Sequence, residues 1–257
     1  MNGKVDYNKI SPVYDTRYKQ NPLTGIQTFL TKLVDQNSPI NVLEVGCGTG
    51  HWLNELSSSD INLFGIDFSN GMLNAAKSNV SKTNFVNADA NKLPLKDNLF
   101  DLIYVVNAIH HFPNPAGFIY DSYKKLNTSG TLCIIGMELW DSINNWYMYD
   151  YFKRTLEIDL KRIPSFSNID KVMNDAGFKN ITKTLAEEVN SSKKGRDVLK
   201  DHFIDRKGAS QLALLTDEEY NNGIEKIKSD IRKAEQENRE LIFKTKINFY
   251  AITGTKS

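Results

Sequence analysis

An α/β fold built on a parallel, doubly wound sheet is the architecture this sequence predicts, and three observations carry it. A short apolar run, Val42, Leu43 and Val45, breaks directly into Gly46-Cys47-Gly48-Thr49-Gly50. Runs rich in β-branched residues then alternate with helical patterns as far as residue 137, the arrangement of βαβ units in a parallel sheet. Finally, the acids Glu44, Asp67 and Asp89 fall inside or just after three successive runs, where open α/β sheets bind ligands.

The elements follow in order. Tyr7 to Tyr18 is aromatic and irregular, with Tyr7, Tyr14 and Tyr18 able to close over a site and exclude water. Ile26, Phe29, Leu30, Leu33 and Val34 recur at helical spacing. The first strand, from Asn41, meets glycines at alternate positions, which permit a tight turn and put no Cβ between backbone and ligand. Thr49 is placed to cap the helix His51 to Leu56.

A second strand spans Asn62 to Asp67, and Ser69 opens a helix carrying Met72, Leu73, Ala75 and Ala76. Thr83 to Asn87 is a third strand, Asp101 to Val106 a fourth. A helix with Phe118, Ile119, Tyr123 and Leu126 stops at Asn127-Thr128-Ser129-Gly130. The fifth strand, Thr131 to Gly136, is nearly all apolar and so covered on both faces.

Beyond this point the pattern changes. Trp140 to Leu160 is helical in spacing and crowded with aromatics, and Ser167-x-x-Asp170 resembles a capping box for a helix ending at Ala176-Gly177. Phe178 to Val189 reads as a sixth strand, Ser191 to Glu240 as mostly helical with a capping box at Thr216-x-x-Glu219, and Leu241 to Thr253 as a closing strand.

Composition excludes several roles. Lys+Arg 32 against Asp+Glu 31 leaves no positive excess to follow a phosphate backbone, so extended nucleic acid is not an expected partner. Two cysteines without a CxxC argue against a zinc site and for a reduced, cytoplasmic setting. The polar Met1 to Tyr7 stretch has no signal-peptide core, and no apolar run reaches the ~18 residues that span a bilayer. No metal and no membrane contact is expected.

Glu44-Val45-Gly46-Cys47-Gly48-Thr49-Gly50 resembles the E/D-x-G-x-G-x-G signature of class I S-adenosylmethionine-dependent methyltransferases, in a small-molecule, type 11-like branch. Asp67, Ala88-Asp89-Ala90 and Phe100-Asp101-Leu102-Ile103 match that family's later motifs in order. The likeness is good over about Tyr7 to Glu138 and holds only in outline beyond. It implies a Rossmann-like seven-stranded doubly wound sheet of order 3-2-1-4-5-7-6, the last strand antiparallel, with a helical insertion before it. It also implies one methyltransferase domain over 1–257, with an N-terminal lid and helix at 1–36 and helical substrate-cap segments at 138–176 and 190–240.

For the cofactor, S-adenosylmethionine leaving as S-adenosylhomocysteine, the resemblance implies the following contacts. The amides around Gly46, Cys47 and Gly48 approach its methionine part, with Glu44 also among the cofactor-binding residues; Asp67 holds the ribose. Phe68 or Met72 lies against the adenine, with Asp89 and Ala90 at its edge, and Asn107 sits beside the methionine. Tyr14 and Arg17 belong to the lid, Arg17 resembling an arginine that meets the cofactor carboxylate; an ordinary surface arginine is the other reading.

Catalysis by in-line methyl transfer depends chiefly on alignment, with a general base required only if the nucleophile carries a proton. His110 and His111, just after strand four, are the candidate bases, and Glu138, just after strand five, would orient an imidazole or bind a cationic group. A structural histidine bonding a backbone carbonyl is the alternative. An NAD fingerprint would need a third glycine where His51 stands.

No Asn-Pro-Pro-Tyr/Phe follows strand four, which with the neutral charge points to an O, N or C nucleophile of a small metabolite. An RNA or protein methyltransferase is the first alternative, resting on the dispersed Lys193, Lys194, Lys200 and Lys207; a non-catalytic adenosyl-ligand binder is the second. The residues leave monomer and homodimer equally open.

Overall fold

The computed structural model describes residues 7–11, 14–57, 60–140, 145–206 and 208–257. Lys207, the first six residues of the expected lid and residues 141–144 of the expected aromatic helix lie outside them.

The helices are α1 (Tyr7–Ile10), α2 (Thr16–Gln20), α3 (Thr24–Asn37), α4 (His51–Glu55), α5 (Asn70–Asn79), α6 (Pro115–Lys125), α7 (Tyr147–Tyr151), α8 (Arg154–Arg162), α9 (Phe166–Ala176), α10 (Ser210–Ala213) and α11 (Asp217–Gln236). The strands are β1 (Asn41–Val45), β2 (Asn62–Asp67), β3 (Thr83–Asn87), β4 (Phe100–Val106), β5 (Leu126–Met137), β6 (Asn145–Trp146), β7 (Phe178–Lys194) and β8 (Ile242–Lys256).

These strands form one sheet, ordered β3-β2-β1-β4-β5-β8-β6, with β7 paired to β8. β1 to β5 run parallel, and β8 runs antiparallel to both β5 and β7. Apart from the two-residue β6, this is the expected topology with the strand numbers advanced by one. Its core is split by the pleat. Leu43, Val45, Ile103, Val105, Leu132 and Ile134 pack with α6 and α9 on one face. Val42, Leu102, Tyr104, Val106, Cys133 and Ile135 pack with α3, α4 and α5 on the other. Both faces being covered, β4 and β5 read as continuous apolar runs.

Several local expectations are corrected. Gly50, left-handed at φ 78°, is the N-cap of α4; the Thr49 hydroxyl donates to Asp15 Oδ1 instead, tying the first turn to the N-terminal segment. α9 is capped by Ser165, which accepts from the Asn168 amide, so the cap lies two residues before the expected Ser167. The stop signal after α6 is a bulge within β5: Phe100 pairs with Leu126 and Leu102 with Thr131, Ser129 taking φ 65° between them.

β7 runs on to Lys194, since its alternating polar pattern continues beside β8. Ser191 to Glu240 is therefore less helical than expected, holding two 3-10 turns (Gly195–Lys200 and His202–Ile204) before α10 and α11. The Thr216–Glu219 capping box is present with both of its bonds. A third apolar cluster, with Trp146, Tyr147, Met148, Phe152, Ile227 and Ile231, packs the inserted segment on itself.

Candidate functional site

Parallel pairing brings the loops after β1, β2, β3 and β4 to one edge, where the strand order reverses between β1 and β4. A cavity of about 490 Å³ lies there, lined by Gly46, Gly48, Asp67, Phe68, Met72, Asp89, Ala90 and Asn107 among others. A smaller chamber of about 140 Å³ adjoins it. Tyr7, Tyr14, Asn107, His110, His111 and Arg162 line both.

Asp67 organises the larger cavity. Its Oδ2 accepts the Gly48 N–H at 2.9 Å and its Oδ1 the Ser69 N–H at 2.8 Å, so the carboxylate pins the glycine turn to the start of α5. Burial pushes its carboxyl above the usual range, against the pull of those amides. Gly46 has φ 73°, and a Cβ there would lie 2.6 Å from the Ala108 Cβ. At Gly48 the nearest atom to an added Cβ is Tyr14 Cε1 at 3.9 Å, leaving that face of the turn open to a ligand.

Phe68 is 75% exposed, an apolar ring left on the cavity wall beside buried Met72. Asp89 Oδ1 accepts from the Asn91 amide and side chain, 2.8 and 2.7 Å away, fixing the loop after β3. Asn107 holds a left-handed φ of 51° and donates its N–H to Ile135 O, strain of the kind that gathers at binding sites.

Residues 43–134 match the family described as methyltransferase domain. The chain is 24% identical over 204 residues to a demethylmenaquinone methyltransferase of Listeria welshimeri, covering 67% of this chain and 85% of that one. A SAM-dependent methyltransferase from Thermotoga maritima, described as a possible histamine N-methyltransferase, superimposes with TM-score 0.60 at 17% identity, covering 98% of each chain. A Haemonchus contortus phosphoethanolamine N-methyltransferase 2, solved with S-adenosyl-L-methionine, gives TM-score 0.59 at 16% identity over 99% of this chain and 60% of that one. The two structural likenesses are likenesses of fold.

Residues 43–134 thus carry a methyltransferase domain, and the protein is an S-adenosylmethionine-dependent methyltransferase. S-adenosylmethionine is accordingly the methyltransferase's cofactor, and the cavity fits it: a Cβ-free bend, a bare aromatic face and a carboxylate at the tip of β2 lie on one wall.

The structure sorts the sequence's candidates. Gly46, Gly48, Asp67, Phe68, Met72, Asp89, Ala90, Asn107 and Tyr14 all line the larger cavity, as do His110 and His111. Glu44 does not. It is 1% exposed and accepts the Tyr104 hydroxyl at 3.2 Å, and burial holds its carboxyl well above the usual range. Cys47 is also buried away from the cavity.

The amides expected to face the cofactor are already committed: Gly46 and Cys47 donate to Ile66 O, and Gly48 to Asp67. The turn therefore presents its open Cα face rather than a ring of donors. Arg17 lines the smaller chamber alone, its guanidinium 4.6 Å over the Tyr14 ring and 5.3 Å over the Tyr18 ring.

Glu138 is removed from both cavities. Fully buried, it accepts from the Trp140 amide and pairs with Lys183 Nζ at 3.1 Å, a structural tie between β5 and β7. The expectation of a catalytic Glu138 came from its place just past a strand tip, which does not reveal that the chain folds back over it.

The histidines stand where the cavities meet. The Tyr7 hydroxyl and His111 Nε2 are 2.7 Å apart, the hydroxyl donating when the ring proton is on Nδ1. Packed protein and the cations Arg162 and Arg17 push His111 down to about 3, although the residue itself is exposed. His110 is held well below its usual value by burial and by His111, Arg162 and Arg17. Both rings are neutral near pH 7 and can accept a proton.

Sequence reasoning missed Asn8, whose Oδ1 accepts from Ser69 Oγ and the Gly71 amide, each at 2.8 Å, docking α1 on α5. It also missed Arg162, His202, Ser210 and Gln211 around the smaller chamber; these come from segments distant in sequence, and no local pattern links them. Of the aromatics after Trp140, Trp146 does line that chamber, whereas Phe152 is plain core. Among the described residues no cluster suited to a metal ion occurs and no helix is long and apolar enough to cross a membrane.

Proposed function

We propose that the enzyme methylates an O, N or C nucleophile of a small metabolite, which enters through the smaller chamber and meets the methyl donor beneath Tyr7 and His111. The observation carrying this is the junction itself: six side chains line both cavities, and two of them, Tyr7 and His111, are hydrogen-bonded to each other. A relative named for demethylmenaquinone and a fold neighbour named for phosphoethanolamine support a small-molecule acceptor. So does the pairing of two cations around the end of β7, Lys194 with Glu240 at 2.7 Å and Arg196 with Glu235 at 2.7 Å, which offsets their charge.

When bound, S-adenosylmethionine supplies an electrophilic methyl group on a sulfonium. Asp67 holds the ribose, Phe68 and Met72 the adenine faces, and Asp89 with Ala90 its edge; Gly48, Tyr14 and Asn107 bound the methionine end. The chain's own task is alignment, which supplies much of the rate in such displacements. Tyr7, on a short helix tied to α5 through Asn8, closes the junction against water. A nucleophile bearing a proton passes it to the Tyr7 oxygen as the phenolic proton moves to His111 Nε2. The described part of residues 1–36 acts as the lid, and the segments at 138–176 and 190–240 wall the acceptor side.

Calorimetry with S-adenosylhomocysteine, followed by a metabolite-extract screen with labelled methyl donor, tests this reading. Binding of the nucleoside together with label in a small product is expected; binding with label only in RNA or protein overturns the acceptor class, and binding without turnover leaves the non-catalytic alternative.

A further inference from the structure

The smaller chamber holds more hydrogen-bond donors than the protein satisfies. Arg162, at the end of α8, sends Nε and Nη2 to the same oxygen of buried Asp159, 3.1 and 2.9 Å away, and Nη2 also reaches Ser210 Oγ and Gln211 Oε1 at 2.6 and 3.3 Å. The other Asp159 oxygen accepts the Tyr149 hydroxyl at 3.0 Å. A guanidinium has five N–H groups, and those on Nη1 of Arg162 have no partner among the described residues.

Arg17 makes no ion pair among the described residues, its guanidinium resting on tyrosine faces. Trp146 is 6% exposed, and its indole N–H, a donor only, is buried without a partner. The charged groups lining the chamber are Arg17, Arg162 and Asp159, so two positive charges less one negative leave a net charge of one positive. A lining rich in donors and one cation in excess is completed by a ligand that brings acceptors and negative charge. At about 140 Å³ the chamber is well below the roughly 300–1,000 Å³ of sites that enclose drug-sized ligands, so it admits a head group rather than a fused-ring body.

We infer that the methyl acceptor carries a small oxyanion, a carboxylate or a phosphate, held by Arg162 and Arg17 and bonded by the Trp146 indole, with its nucleophile turned toward Tyr7 and His111. The inference rests on the methyltransferase reading of the site and names its substrate class.

The test uses the full chain saturated with S-adenosylhomocysteine and titrates sodium phosphate and sodium acetate against sodium chloride at matched ionic strength. Tryptophan fluorescence and the unfolding midpoint are followed. One or both oxyanions should saturate both signals at millimolar concentration while chloride does not, and which one does separates phosphate from carboxylate. Trp146→Phe should remove the saturable fluorescence change and keep the midpoint shift. Arg162→Lys, which keeps a charge beside Asp159 and so protects the fold, and Arg17→Gln should each weaken the oxyanion about fivefold or more, since neither replacement is a fork. Their S-adenosylhomocysteine affinity should stay within about twofold.

Neither oxyanion responding overturns the inference. So does a pair of variants that lose nucleoside affinity about tenfold while the oxyanion response is unchanged, because the guanidiniums then serve the cofactor carboxylate. Failure of S-adenosylhomocysteine to bind would instead strike the methyltransferase reading, and the same titration on the protein alone would still decide this one.

Discussion

Replacing Asp67 with Asn isolates the group on which the cofactor cavity turns. The carboxylate accepts one backbone N–H on each oxygen, from Gly48 at 2.9 Å and Ser69 at 2.8 Å. An Asn amide keeps one acceptor oxygen and turns an NH₂ toward the other donor, so one part-buried amide loses its partner, at about 1–3 kcal/mol. The surviving bond is also no longer charge-assisted. For a chain of this size that loss lowers the unfolding midpoint by about 2–12 °C at roughly 2–4 °C per kcal/mol. The glycine turn then loses its fixed position, and the ribose loses a charged acceptor. At about 1.4 kcal/mol per tenfold, S-adenosylhomocysteine should bind about 10- to 100-fold more weakly by calorimetry. A variant with the midpoint lowered and affinity within about twofold would refute the ribose role and leave Asp67 as a loop clamp.

Other expectations follow from the same geometry. Phe68→Ala removes a ring that is 75% exposed, so the unfolding midpoint should hold while S-adenosylhomocysteine affinity falls about tenfold, the worth of a lost aromatic stack and its buried area. Tyr7→Phe and His111→Asn should each lower kcat by about 10²-fold or more with cofactor affinity retained, if the acceptor carries a proton; single-turnover assays separate the two effects. Because His111 is pushed down to about 3 from an unfolded value near 6.5, the unfolded chain binds more protons there between those limits. Stability is thus unaffected above pH 6.5 and falls as the pH drops through that window, a loss His111→Asn should lessen in denaturant melts. Glu138→Gln should leave kcat unchanged and lower the midpoint by several degrees, since Lys183 loses the charge it faces at 3.1 Å.

Much of the fold was legible because its first half is local. β2 and β3 begin and end where the alternation of apolar and turn residues places them, and Ser69 and Thr216 cap the helices their spacing announces. The lining of the larger cavity was legible for the same reason: Gly48, Asp67, Phe68 and Asp89 each lie at a strand tip, so the order of the motifs is their order around the cavity. Errors arose where a tertiary partner decides. Glu44 and Glu138 carry the residue type of a site, yet Tyr104 and Lys183 claim them in the interior. Thr49 was free to cap α4 until Asp15, 34 residues earlier, took its hydroxyl. The smaller chamber was illegible because Arg17, Trp146, Arg162 and Gln211 come together only when α2, β6, α8 and α10 pack.

The two halves of the site impose opposite demands that one ligand would reconcile. Burial, joined by the same Arg162 and Arg17 that make the chamber cationic, depresses His110 and His111, so the free enzyme holds its bases weak. A nearby opposite charge raises a depressed imidazole. An oxyanion seated between the guanidiniums would cancel much of their field, strengthening His111 as a base only once an acceptor is in place and leaving the methyl donor protected from water until then. Histidine titration by NMR should therefore show His111 rising when phosphate or acetate binds to the S-adenosylhomocysteine complex, and staying put in Arg162→Lys. A ring that titrates at the same pH with and without the anion would show that the cations do not govern it.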